Sequence, residues 1–304
     1  MHQQNVALLF NPSEPGIQET LAQFASHARG ECVCLPLPVD RHLPGRVEEL
    51  SIDAAVNLVA DLDLASEVAA LCHLMDLPVT GPTRQAQQIC ADRVLLKDFL
   101  AIHNLATPAG YLPRNPVENL AQEHRNFGFP VRVLARTGLR PATVARNFEE
   151  LQAQVLSARC EAGEVLVERL VTGTVVSTAL WRGKTVGSAE VQSSVDASGA
   201  PLEEVHIPAR IPATGLRTME RLAERLAELF HAHQAMLVTS IRNEHQEEFI
   251  LDIDLMPSLH RHARFGRIAS AFGLSQRECA RSLVGDLRSH RPVSLATRSA
   301  WMCG

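Results

Sequence analysis

The stretch 249–257, FILDIDLMP, carries two carboxylates, Asp252 and Asp254, in an otherwise apolar run. Side chains on a strand alternate between faces, so residues two apart project the same way. Burying two like charges side by side is costly unless a cation or hydrogen-bond donors receive them. A divalent metal with oxygen ligands would do so. A strand whose alternate face meets water would instead leave both acids solvated, and the residues alone admit either reading. Other charged groups recur at chemically useful spacings. Arg132 lies on a predicted strand and Lys97 on the polar side of a predicted helix. A solvated lysine would take the same position. His260-Arg261-His262 follows the acidic strand, as either an anion-recognising loop or polar surface. Cys32 and Cys34 form a C-x-C without a second cysteine pair to complete a zinc site, and read as small core residues.

Composition narrows the classes. The chain has 304 residues, 46% of them hydrophobic, which suits two or three α/β lobes better than one small core. With 29 Lys and Arg against 34 Asp and Glu, and 4% aromatic residues, it lacks the basic, base-stacking character of a nucleic-acid binder. The opening MHQQNVALLFNP has no basic segment of a secretion signal, and no apolar run approaches a membrane span. Seven scattered cysteines suit a reducing compartment, so a cytoplasmic protein with no membrane partner is expected.

The elements that must position these residues follow from periodicity. Strands are predicted at 5–10, 32–37, 53–59 and 77–81, with helices at 17–27 and 64–75 between them, as a parallel sheet requires. The first loop has a single glycine, which excludes a dinucleotide fingerprint. One helix is expected over 84–104, with Leu95, Leu96, Phe99 and Leu100 facing inward, and an extended piece over 110–112. Further on come strands 129–134, 164–170, 175–181 and 185–192, and helices 149–156 and 219–231. A loop is expected over 193–212, then a hairpin of 235–241 with 249–255, helices 268–272 and 276–284, and a loosely held basic tail beyond Gly285.

In this order the pieces resemble D-alanine–D-alanine ligases of the ATP-grasp superfamily. The resemblance runs through DAAVNLVADLD, ADRVLLKDFLAIHNLATPAGYL, FGFPVRVLARTG, EVLVERLVTG and ILDIDLMPSL to AFGLSQRECARSLV, nearly the whole chain. It implies an α/β fold with a parallel N-terminal lobe over 1–85, a central ATP-grasp lobe over 86–165 and a C-terminal one over 166–304. It also implies ATP and magnesium as cofactors, an acyl-phosphate intermediate and a homodimer.

The same resemblance assigns roles and exposes departures. Lys97 matches a phosphate-side lysine, Glu168 the residue flanking adenine, and Gly138 the phosphate loop, here ARTGLRPA and stiffened by Pro141. Asp252 and Asp254 match the magnesium-binding acids of the last strand. The strand lysine, however, corresponds to Leu134, the ribose acid to Val175, and an arginine and metal aspartate to Val238 and Ser240. Losing a cation removes a charge-assisted phosphate contact of about 2–3 kcal/mol. Arg132, Arg136 or Arg242 could compensate from neighbouring positions. On the substrate side, Ser13 and Glu14 remain in the first turn and His260 and His262 in the last loop. Ala60-Asp61-Leu62, Ser258 and Ala263 break the pattern, which argues against D-alanine as substrate. Two functions are therefore expected in competition: a degenerate ligase acting as a binding or regulatory protein, or a divergent ATP-dependent carboxylate–amine ligase.

Overall fold

A computed structural model describes residues 3–14, 16–114, 118–138, 142–195 and 201–289. In chain order the first elements are β1 (Asn5–Phe10), α1 (Ile17–His27), β2 (Val33–Pro38), α2 (Leu43–Glu49), β3 (Ala54–Asn57), α3 (Leu62–Leu74), α4 (Arg84–Ala91) and α5 (Arg93–Ile102). There follow β4 (Gly110–Tyr111), α6 (Leu120–His124), β5 (Val131–Ala135), β6 (Thr143–Ala145), α7 (Phe148–Ala162) and β7 (Val165–Arg169). The last group is β8 (Thr174–Trp181), β9 (Lys184–Val195), β10 (Pro201–His206), α8 (Ala213–Leu229), β11 (Ala235–Arg242), β12 (Glu248–Asp254), α9 (Arg264–Ala271) and α10 (Gln276–Ser289).

Three sheets organise them. The first is parallel, in the order β2-β1-β3, as the alternation of strands and helices requires. The second is antiparallel, β4-β7-β5-β6, and α7 packs Leu151, Val155 and Ala158 onto it. The third is antiparallel, β10-β9-β8-β11-β12. One of its faces meets α4, α5 and α8 through Leu96, Leu100, Leu226 and Phe230. The other meets α9 through Phe265, Ile268 and Ala269.

The helix expected over 84–104 is broken at Asp92, whose carboxylate accepts from the N–H groups of Val94 and Leu95 and so starts α5. Of its expected inward residues Leu95 is exposed, because α5 begins at this cap. The loop expected over 193–212 carries strand at two places, since β9 runs to Val195 and β10 (Pro201–His206) pairs back onto it. Helix α10 continues through Gly285 to Ser289 and joins the first lobe, where Ala280, Leu283 and Val284 pack with Phe24 and Leu21. β7 begins at Val165 and pairs with both β4 and β5, so residues 166–169 belong to the second sheet. Pro141 and the tail from residue 290 lie outside the described residues. None of the described helices is long and apolar enough to cross a membrane.

Candidate functional site

Strand β12 sets up the cleft through a bulge. Thr239 of β11 pairs with Asp252, while Ser240 pairs with Ile250, so Leu251 is the extra residue. Ile250 and Ile253 can then both face the core although they are three apart. Asp252 and Asp254 turn the other way and border a cavity of about 110 Å³ that Asp61, Asp63, Arg93 and Gly138 also line.

The same register corrects one expected correspondence. Directly opposed residues of an antiparallel pair share a face. Leu237 and Thr239 therefore stand beside Asp254 and Asp252, whereas Val238 and Ser240 are buried on the core side. No carboxylate occupies the third wall on either register. Arg242 is excluded as a substitute cation because it lies on that core side, 3.2 Å from Glu248 and against Gly215.

Burial pushes Asp254 up to about 7, with neighbouring Asp252 adding to the rise and the Met256 N–H, 2.9 Å from Oδ1, opposing it. Asp252 is crowded by protein yet opens onto cleft solvent. Desolvation raises it too, and Arg93 and Arg264 oppose that rise. Solvent access and the two arginines favour the charged form at Asp252, whereas burial disfavours it at Asp254. Asp63 is raised by desolvation and by Asp61, and around the cavity four aspartates stand against one arginine, Arg93.

The two aspartates fit magnesium of the kind held by one or two carboxylates plus the oxygens of a bound phosphate. Bound there, the ion would offset the charge of the pair and supply electrostatic stabilisation to the phosphate. Among the described residues no group of three His, Cys, Asp or Glu side chains could hold a metal by itself.

The cations are committed elsewhere. On the second sheet Arg132 pairs with Glu168 and Leu134 with Leu166, so all four share one face. Glu168 is buried, with Lys97 Nζ at 3.2 Å and Arg132 Nη1 at 4.0 Å. Lys97 also donates to the carbonyl of Pro108 at 2.6 Å and to Thr107 at 3.0 Å. Burial lowers its pKa and Glu168 raises it, so Lys97 is an internal ion pair rather than a solvated lysine.

Arg136 is bound by Asp92 at 2.7 Å and Glu164 at 2.5 Å. Arg93, not singled out from the sequence, donates to the carbonyls of Ala135 at 2.8 Å and Gly138 at 3.2 Å. These bonds fasten the loop that follows β5 to α5. Arg264 was also not anticipated. From the start of α9 it reaches Ser177 Oγ at 3.2 Å and Thr239 Oγ1 at 3.4 Å, and Glu203 holds its other edge. Nothing in local sequence marked it, since strands β8, β10 and β11 meet only in the sheet.

The substrate-side candidates separate. Glu14 accepts from the Ala60 N–H at 3.4 Å, is raised by burial, and borders a second small cavity with Asn57, Met256 and Ser258. Ser13 is exposed, with its N–H turned to Asn11. His260 stands 3.1 Å from Glu19 of α1, which Arg261 also reaches at 3.3 Å. His262 is exposed, its ring centroid 5.2 Å from that of His260 and tilted by 50° to it. This loop therefore ties the last strand to α1 and does not face the acidic cavity, because Glu19 supplies the nearest charge.

No protein-family model matches the chain. Among curated proteins it is 27% identical over 273 residues to a D-alanine–D-alanine ligase of an Anaeromyxobacter species, covering 86% of this chain and 88% of the relative. It is 22% identical over 220 residues to D-alanine–D-alanine ligase B of Clostridium perfringens, covering 68% and 71%. Among solved structures, the D-alanine–D-alanine ligase of Bacillus anthracis complexed with ATP matches with a TM-score of 0.81 at 13% identity, over 96% of this chain and 99% of that one. The VanG D-Ala:D-Ser ligase of Enterococcus faecalis gives 0.78 at 16% identity, over 94% and 100%. The ATP-grasp fold and the resemblance drawn from sequence are thereby borne out.

Proposed function

We propose, from the premise that this chain is a D-alanine–D-alanine ligase-like protein of the ATP-grasp fold, that it has kept the interlobe cleft as a binding site and lost ligase chemistry. It then acts as a binding or regulatory protein, as a homodimer. The observation that carries this reading is the charge balance of the cleft. Leu134, Val175, Leu237 and Thr239 occupy the faces where the resemblance calls for cations and acids. The arginines and lysine that remain are each held by protein groups: Lys97 and Arg132 by Glu168, Arg136 by Asp92 and Glu164, Arg264 by Glu203, and Arg93 by the carbonyls of Ala135 and Gly138.

Phosphoryl transfer depends on positioned cations around the phosphates. A nucleotide entering this cleft meets four aspartates against one lining arginine, Arg93, and must draw any further cation out of an existing ion pair. Calorimetric titration with Mg-ATP tests the reading, together with ADP release in the presence of D-alanine. The expected outcome is no ADP release and no micromolar affinity. Micromolar Mg-ATP binding that disappears in Asp254→Ala would sink it.

A second reading rests on Arg264. This guanidinium stands over Thr239 and beside Asp252, on the face that lacks a cation at Leu237. It supports a divergent ATP- and magnesium-dependent carboxylate–amine ligase. Asp252 and Asp254 would hold the metal, Glu168 flank adenine, and Lys97 with Arg132 hold phosphates. ADP release with an amine acceptor, abolished in Arg264→Met, would establish this reading over the first.

A further inference from the structure

We propose that Cys32 and Cys34 form a two-sulfur site for copper(I), separate from the acidic cleft. The two Sγ atoms lie 3.6 Å apart. The backbone from Cys32 into β2 is extended, so thiols two residues apart project the same way. They face the core of the first lobe, where Cys32 is buried among Phe24, Ala28 and Leu283, and Cys34 packs against the same cluster. Cys34 is only partly covered, and β2 is the outermost strand of its sheet, which gives an ion a route in.

The ligand set selects the metal. Among the described residues no third His, Cys, Asp or Glu joins the pair in a metal-holding group. Zinc takes four ligands, and magnesium and calcium take oxygens. Soft thiolates favour copper(I), which two sulfurs can satisfy. The apolar wall excludes the waters that would complete a zinc shell, and two thiolates leave the copper(I) complex with a single negative charge.

Metal–thiolate bonds of about 2.3 Å placed end to end span about 4.6 Å, so the sulfurs need part by only about 1 Å through χ1 rotation. Binding breaks two S–H bonds, forms two Cu–S bonds and releases both protons to water, with copper remaining monovalent.

A disulfide is the less favoured fate of the pair. The sulfurs would have to close from 3.6 Å to about 2.05 Å, a larger displacement than the copper site asks for. Cys72 and Cys90 lie in other cores, and Cys160 is exposed on α7.

The test uses the full chain under anaerobic conditions, with copper(I) supplied as its coloured bicinchoninate complex. Wild type and the Cys160→Ser/Cys303→Ser variant should each withdraw one equivalent of copper. Cys34→Ser and Cys34→Ala should withdraw none while keeping the wild-type circular dichroism spectrum. Undiminished withdrawal by folded Cys34→Ser, or displacement of copper by equimolar zinc, would overturn the assignment. A measurement on wild type alone guards against a variant that does not fold. Copper should protect Cys32 and Cys34 from alkylation, mapped by mass spectrometry, and equal labelling with and without copper would overturn the site.

Discussion

Replacing Asp254 by asparagine should stabilise the protein at alkaline pH and leave it unchanged in acid. The carboxyl sits at about 7 in the folded chain against an ordinary 3.8. The folded state therefore holds a proton that the unfolded state has already released across that interval. Stability falls as pH rises wherever the folded state binds more protons. Wild type should lose stability between about pH 4 and pH 7 on account of this group, and the loss should level off above. At about 1.36 kcal/mol per pK unit the full interval corresponds to about 4 kcal/mol, which solvent in the partly open cleft reduces to about 2–4. Asparagine is nearly isosteric, carries no charge at any of these pH values, and its oxygen can still accept from the Met256 N–H. Urea unfolding of wild type and Asp254→Asn at pH 4.5, 6 and 8 would read the difference directly. It should be smallest at pH 4.5 and largest at pH 8, in favour of the variant. A variant less stable than wild type at pH 8, or a difference independent of pH, would refute the argument that desolvation beside Asp252 controls this carboxyl.

The remaining predictions follow from the same contacts. Glu168→Gln leaves Lys97 and Arg132 without their buried counter-charge and should cost about 3–5 kcal/mol in chemical denaturation, clearly more than Lys97→Met. Leu134→Lys combined with Thr239→Asp places a cation and an acid on the cleft face. It should raise Mg-ATP affinity at least tenfold by calorimetry, and no gain would count against the charge-balance account. Gly173→Ala would bring a Cβ to 2.1 Å from the Arg242 carbonyl oxygen, so it should cost several kcal/mol, seen as a large drop in melting temperature. Arg136→Met should destabilise by about 1–3 kcal/mol without altering nucleotide titrations, because its partners are Asp92 and Glu164.

Much of the scaffold was legible in the residues. The helix over 17–27 and the strand over 5–10 coincide with α1 and β1, because apolar spacing and the flanking turn residues act locally. Short α2 and α6 and three-residue β6 left too little periodicity to detect. The break between α4 and α5 depends on whether Asp92 caps or stays in a helix, and its pairing with Arg136 across the chain favours the cap.

The sequence by itself determined that Asp252 and Asp254 share a face, since alternation along a strand is a property of the backbone. It also determined that Leu134 offers no cation, because residue type alone decides that. Only the tertiary structure decided what surrounds them. The bulge at Leu251 made Thr239 rather than Ser240 the neighbour of Asp252, because register is a relation between two strands and not a property of either. Packing buried Lys97 against Glu168, turned His260 towards Glu19, and brought Arg93 and Arg264 to the cleft from helix starts remote in sequence. Charges find partners through space at a cost set by burial, and neither quantity is written in spacing along the chain.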